Sequence, residues 1–111
     1  MHEKPLVWVG SSLADLRAFP TDARRQAGYQ LYRVQCGEMP TDWKPIPSVG
    51  AGVYEIRVHT RDEYRVFYVA KFVEAVYVLL AFDKHTRQTA PADLDLARQR
   101  LKDVMASRGR R

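Results

Sequence analysis

The chain has 111 residues, 46% of them hydrophobic, which allows one domain with an ordinary core over residues 1–111 and excludes a second one. The same hydrophobic content argues against wholesale disorder. Eighteen Lys and Arg residues against thirteen Asp and Glu give a formal net charge of +5, which favours nucleic acid or another acidic partner.

The cysteine content and the hydropathy of the chain indicate where in the cell the protein resides. The single cysteine, Cys36, cannot form an internal disulfide and suits a reducing environment. No apolar run approaches the roughly 18 residues of a membrane span, so no membrane association is expected. Lys4 and Pro5 precede an apolar run too short for a signal peptide, and we therefore expect a cytoplasmic protein.

The predicted elements begin with a short strand at residues 6–9 and a short helix at residues 12–19, for which a preceding serine supplies the N-cap. Pro20 can start a second helix, whose apolar residues recur at helical spacing, and Gly37 can end it. Residues 37–52 are rich in Pro and Gly and are expected to form a loop.

Two runs rich in β-branched and aromatic residues follow, at 53–58 and 63–69, and the short polar connection between them predicts an antiparallel hairpin. Residues 75–82 form the most apolar run and predict a central strand. Pro91 begins a last helix with one apolar stripe. The order β-α-α-β-β-β-α predicts an α+β fold, a small antiparallel sheet with helices on one face.

The alternation of side chains also predicts the register of the hairpin. One register makes one face wholly apolar or aromatic, and a slip of one residue would mix the two faces. It pairs Val58 with Tyr64, Ile56 with Val66 and Tyr54 with Tyr68, and its other face carries Glu55, Arg57, His59, Glu63, Arg65 and Phe67.

This register places Arg57 directly opposite Arg65, where like charges are unfavourable. Two interpretations account for the pair. The arginines hold a polyanion, or they are solvated and paired with Glu55 or Glu63, as on many charged surfaces.

The order of elements and several short motifs together resemble the RelE/ParE toxin superfamily, and most closely its HigB-like, phage-related branch. The resemblance covers nearly the whole chain. Its motifs are Val-Trp-Val-Gly-Ser-Ser at 7–12, Asp-Leu-Arg-Ala-Phe-Pro at 15–20, Tyr-Glu-Ile-Arg at 54–57, Tyr-Arg-Val-Phe-Tyr at 64–68 and Val-Leu-Leu-Ala-Phe-Asp-Lys-His-Thr at 78–86.

The resemblance implies a RelE-like fold and the toxin of a type II toxin–antitoxin module, a metal-independent endoribonuclease that cuts mRNA on the ribosome and needs no cofactor. Its partners would be the ribosome, mRNA and an antitoxin, which in HigB-like modules commonly has a helix-turn-helix domain. Two alternatives remain: a ParE-like, non-enzymatic inhibitor of DNA gyrase, and an inactive member that acts only in antitoxin-linked transcriptional control.

Three basic residues match the catalytic positions of RelE-like nucleases. Arg65 matches the catalytic arginine, Arg57 a basic residue on the preceding strand, and Lys84 a basic residue after the fourth strand. Glu55 lies where some members have lysine, so it is either a general base or a partner for Arg57. His85 is a candidate for a missing acid or base, although a histidine in a turn is more often plain surface.

Other basic and aromatic residues are candidates for RNA contact. Lys44 can contact the RNA backbone, and Trp43 either stacks on a base or anchors the long loop on the core. Three arginines on the second helix, Arg24, Arg25 and Arg33, either touch ribosomal RNA or form a solvated face. The further candidates are Arg61 in the hairpin turn and Arg87 in the turn after the last strand.

Overall fold

The two alternating strands form the centre of a five-stranded sheet. A computed structural model describes residues 3–110 of the chain. The strands are β1 Leu6–Trp8, β2 Trp43–Pro45, β3 Val53–His59, β4 Glu63–Val69 and β5 Val76–Asp83. The helices are α1 Ser12–Arg17, α2 Thr21–Gln35 and α3 Pro91–Gly109. The strands lie side by side in the order β1-β5-β4-β3-β2, and the α+β fold class predicted from the sequence is confirmed.

The predicted hairpin register is also confirmed. Ile56 pairs with Val66 and Arg57 pairs with Arg65 across β3 and β4. Because side chains alternate along each strand, Ile56 and Val66 enter the core that the first two helices cover, whereas the arginines lie on the opposite face.

The prediction that all helices lie on one face of the sheet was wrong. α1 and α2 cover the face that carries Ile56 and Val66, whereas α3 packs through Ala97 and Val104 against the other face, beside Phe67. The cause lies in the central strands. The side chains of β5 are buried from Val76 through Ala81 on both faces, so both faces need cover.

Two further details differ from the prediction. β1 runs parallel to β5, so the sheet is mixed rather than wholly antiparallel. The chain from β1 to β5 passes through α1, α2 and the other three strands, which gives the long connection that a parallel pair requires. The predicted loop 37–52 contains a short strand, β2, which pairs antiparallel with β3 at the edge of the sheet.

A buried arginine connects the two helical layers. Arg100 on α3 donates one hydrogen bond to the carbonyl of Leu79 and another to Ser11 Oγ, at the start of α1. Gly10 has φ +55, and a Cβ at this residue would lie 2.7 Å from Arg100 Nε, so glycine leaves room for the guanidinium. None of the helices within residues 3–110 has the length and apolarity needed to span a membrane.

Candidate functional site

The arginine pair lies on the α3 face of the sheet, where the apolar residues of β3 and β4 give way to charged ones. One oxygen of Glu55 is 3.5 Å from the Nε of Arg57 and also 3.5 Å from the Nε of Arg65. The side chain of Arg65 is only 4% exposed, whereas that of Arg57 is 34% exposed. A ligand approaching from solvent therefore meets Arg57 first.

Further carboxylates surround the pair. Arg65 Nη1 donates hydrogen bonds to Glu63 Oε1 at 3.1 Å and to the carbonyl of Tyr64 at 3.0 Å. Arg57 Nη1 lies 3.9 Å from a carboxylate oxygen of Asp42. The pairing of the arginines with Glu55 and Glu63 is thus present, but Arg65 is buried rather than solvated. These carboxylates explain how the sheet tolerates two opposed arginines.

The ion pairs leave two hydrogen-bond donors unused. The Nε atoms of Arg57 and Arg65 are buried and have no hydrogen-bond partner among residues 3–110, since Glu55 lies too far away for a well-formed bond. A buried donor without a partner costs about 1–3 kcal/mol. Such a cost is unusual in a structural ion pair and suits a site where an anionic ligand completes the bonds.

A histidine lies between two carboxylates at the edge of the same face. His59 Nδ1 is 2.7 Å from Glu63 Oε1, and its Nε2 contacts Asp42 Oδ2. The hydrogen bond to Asp42, and then that to Glu63, raises the pKa of His59 above its usual value of 6.5. The bond from His59, and then that from Arg65, lowers the pKa of Glu63 below 4.5. The protonated imidazole is favoured because each nitrogen then donates to a carboxylate.

Sequence reasoning missed this cluster because it missed β2. Asp42 immediately precedes that strand, and its carbonyl accepts a hydrogen bond from the backbone N–H of Arg57. The three-residue strand has no alternating pattern, and Pro45 weakens any strand prediction. The alternation did place His59 on the polar face, but it gave no partner for this histidine.

The residues after β5 are held beside the site by the turn that follows the strand. The backbone N–H of Lys84 donates to the carbonyl of Glu63, and its Nζ donates to the carbonyl of Arg87. The exposed side chain of Arg87 is on this same turn. The side chain of His85 is 76% exposed and pairs with Asp83, and neither residue contacts the arginine pair.

The other candidates divide between the two faces of the sheet. Lys44 pairs with Glu55 across β2 and β3, so its side chain is directed to the arginine face. Trp43 is directed to the opposite face, where its ring packs edge-on against Tyr54 with centroids 5.3 Å apart, and this contact anchors the loop. The structure also separates three exposed arginines from the pair. Arg24 and Arg25 are on α2, across the sheet, and Arg61 is at the tip of the hairpin.

Within the described range 3–110, no group of three or more His, Cys, Asp or Glu side chains is arranged to hold a metal ion. The chemical groups that this face offers are therefore guanidinium, ammonium, carboxylate and imidazole groups. Such a set can bind a phosphate and exchange protons with it.

Residues 14–102 match the family described as phage derived protein Gp49-like (DUF891), and the chain belongs to this family. Its members are toxins of toxin–antitoxin systems, so a cognate antitoxin is the partner that the family implies. No curated protein matches the chain.

Proposed function

We propose that the protein is a toxin of the HigB-like branch that cleaves mRNA on the ribosome, as a metal-independent endoribonuclease. The observation that carries the proposal is the pair Arg57 and Arg65, whose buried Nε donors have no partner within residues 3–110. Two arginines on adjacent strands, with donors directed at one shared oxygen, match the geometry with which guanidinium groups bind phosphate.

The reaction requires a proton acceptor, a positive charge and a proton donor around one phosphate. The ribose 2′-OH loses a proton and its oxygen bonds to the adjacent phosphorus, the bond from phosphorus to the 5′-oxygen breaks, and that oxygen takes up a proton. The products are a 2′,3′-cyclic phosphate and a 5′-OH. Arg57 contacts the phosphate, and Lys44 and Lys84 extend the positive charge along the RNA.

The carboxylates and the histidine supply the proton transfers. A phosphate oxygen that accepts bonds from Arg57 and Arg65 takes the place of the Glu55 oxygen, which is then free to accept the 2′-OH proton. His59 is a better candidate for the acid than His85, because it lies on the arginine face and its raised pKa keeps its proton closer to neutral pH.

The shape of this face supports dependence on the ribosome. Arg57 is partly exposed on a sheet surface, which offers phosphate contacts but no enclosed site that could orient a flexible RNA. A ribosome can hold the mRNA with its 2′-OH near in-line attack and so supply the orientation that the protein lacks.

The test is to incubate the purified protein with one mRNA, with and without programmed ribosomes. We expect site-specific cleavage with ribosomes, loss of cleavage in Arg57→Ala, and normal cleavage in Arg17→Ala, which removes an exposed arginine from α1. Equally fast, site-specific cleavage of naked RNA would refute the ribosome dependence.

One observation favours a non-enzymatic second candidate. The burial of Arg65 beneath Glu55 and Glu63 lowers the positive charge that this face offers to RNA. A ParE-like inhibitor of DNA gyrase, or a member that acts only in transcriptional control, needs no phosphate site. Induced expression distinguishes the three functions: loss of mRNA supports the nuclease, an SOS response with intact mRNA supports gyrase inhibition, and normal growth supports the inactive member.

For the partner, we propose an antitoxin with a helix-turn-helix domain that masks the arginine face with acidic side chains. The net charge of +5 favours rapid association with such a segment. Co-expression with the product of the adjacent gene should restore growth and yield a stable complex. If no adjacent gene product binds or rescues growth, this partner assignment is wrong.

A further inference from the structure

A groove follows the outer edge of β5, away from the arginine pair. β1 pairs with β5 through residues 76–78, and no strand among the described residues covers the same side of residues 80–83. α1 and the first turns of α3 form the two walls, and the groove has a volume of about 420 Å³. Leu80 and Ala81 are each only 3% exposed, so Phe82 and Asp83 are the residues of this edge that a partner can reach.

The floor of the groove is aromatic and contains one polar atom without a partner. The rings of Phe19 and Tyr64 pack with centroids 4.6 Å apart, and Leu96, which is 40% exposed, lines the groove beside them. Tyr64 is 6% exposed, yet its hydroxyl has no hydrogen-bond partner within residues 3–110. The hydroxyl oxygen is not among the buried atoms without a partner, so it is open to solvent at the groove and available to an occupant.

The walls carry three carboxylates, although the chain as a whole is basic. Asp15 accepts a hydrogen bond from Ser11 and Asp83 pairs with His85, whereas the carboxylate of Asp93 has no hydrogen-bond or ion-pair partner in the described part of the chain. Burial, and then the nearby charge of Asp83, raises the pKa of Asp93. The start of a helix normally favours a carboxylate, so burial, with the charge of Asp83 added to it, outweighs the helix dipole here.

We propose that this groove binds an arginine or lysine side chain that a protein partner presents on an apolar segment. The aromatic floor holds the aliphatic part of that side chain, and the carboxylates of Asp93 and Asp83 hold its charged end. The same carboxylates repel phosphates, so the groove excludes RNA. The partner is the cognate antitoxin that the family implies, and the proposal does not depend on RNA cleavage.

The test uses an acetylated and amidated peptide, Ala-Leu-Arg-Leu-Ala, titrated into the ¹⁵N-labelled full chain. We expect amide shift changes confined to α1, to the end of β5 and to the first turns of α3. A matched peptide with citrulline in place of arginine keeps the shape but removes the charge, and it should bind about tenfold more weakly.

Two variants with the same charge change locate the site. Asp93→Asn should weaken binding of the arginine peptide about tenfold. Asp103→Asn, on an exposed side of α3 outside the groove, should leave binding unchanged. Tyr64→Phe, which keeps the ring and removes only the hydroxyl, should weaken binding by a smaller factor.

Four outcomes would overturn the proposal: no shift up to about 5 mM peptide, equal binding of the citrulline peptide, equal binding by Asp93→Asn, and shifts in the groove on adding a single-stranded RNA oligonucleotide. Groove shifts that grow with protein concentration alone would instead assign the surface to a second copy of this chain.

Discussion

An ion pair near the start of β5 and the arginine pair near its end use the same residue types but satisfy them differently. Arg108 donates to both oxygens of Glu74, at 2.6 and 3.2 Å, and its guanidinium carbon lies 3.7 Å from the centre of the Phe72 ring. The hydrogen bonds from Arg108, and then that from Tyr77, lower the pKa of Glu74 to about 2. This pair completes its bonds within the chain.

The pair Arg57 and Arg65, in contrast, does not complete its hydrogen bonds within residues 3–110. Glu55 shares one oxygen between Arg57 and Arg65 at 3.5 Å each, and neither Nε has a hydrogen-bond partner within residues 3–110. A single carboxylate shared in this way balances only one of the two positive charges and leaves bonds for a ligand to make. The comparison therefore separates an ion pair whose hydrogen bonds are complete from one that leaves two donors for a ligand, and each variant below tests that separation.

The largest expected effect comes from Arg65→Ala. This variant leaves the buried Glu55 with only the partly exposed Arg57, and breaking a buried pair in this way should lower the free energy of unfolding by about 3 kcal/mol or more. Urea unfolding measures the change. A double variant, Arg65→Leu with Glu55→Leu, removes both charges and should recover much of the stability without recovering toxicity. An Arg65→Ala protein as stable as the wild type would mean that the ion pair does not hold the sheet face together.

The next largest effect is on activity. Arg57→Ala should lower the rate of mRNA cleavage about 10²–10³-fold with little change in melting temperature, because this side chain is partly exposed and contacts the phosphate as charge develops. Arg108→Ala should do the reverse, lowering the melting temperature and leaving cleavage intact. If both variants lose activity in proportion to their loss of stability, the two ion pairs do not differ in role.

The hairpin shows which features of the candidate site can be predicted from the sequence. Alternation over β3 and β4 defines the register, because a slip of one residue would mix apolar and charged side chains on both faces, and so Arg57 opposite Arg65 follows from local pattern alone. The placement of Glu55 on the same face as these two arginines follows from the same alternation. The burial of Arg65 does not follow, because it depends on how elements distant in sequence cover that face.

The remaining misses have related physical causes. β2 is held by pairing with β3 rather than by its own propensity, so neither Asp42 nor Lys44 could be assigned to a face beforehand. Helices on both faces could have been inferred from residues 75–82, since an apolar run without alternation has no side for solvent. Arg100 escaped notice because a charge within an apolar helical stripe is normally exposed.

A smaller effect should follow from Glu55→Gln, which removes the shared charge and keeps the shape. With both arginines released, binding of a single-stranded RNA oligonucleotide should tighten about tenfold, and the slope of log K against log salt should steepen by about 0.7. Fluorescence anisotropy measures both quantities. Glu38→Gln, on an exposed residue paired with Arg33, makes the same charge change away from the site and should have no effect.

Cleavage by the same Glu55→Gln variant should fall although binding tightens, because the proposed proton acceptor is gone. Faster cleavage together with tighter binding would show that Glu55 only restrains the arginines and takes no part in the chemistry.

The smallest expected effect is the pH dependence of the His59 cluster. The raised pKa of His59 stabilises the fold fully below pH 6.5, and this contribution is lost as the pH rises through the folded-state pKa. The lowered pKa of Glu63 contributes above pH 4.5 and is lost as the pH falls through its folded-state pKa. The cluster therefore contributes most between these two values.

Because the side chain of His59 is half exposed, solvent screening should limit this contribution to less than about 1 kcal/mol. Urea unfolding of the wild type and of His59→Gln from about pH 4 to about pH 9 measures this contribution as the difference between their free energies of unfolding. That difference should be largest between pH 4.5 and pH 6.5 and should shrink above pH 6.5. Glu74 has a pKa of about 2 in the folded chain against 4.5 in the unfolded chain, so the contribution of the Arg108–Glu74 pair is constant above about pH 6 and declines only towards pH 4. Arg108→Ala should therefore shift the stability curve above about pH 6 without changing its shape there. A His59→Gln stability curve parallel to that of the wild type would mean that Asp42 and Glu63 do not raise the pKa of the histidine.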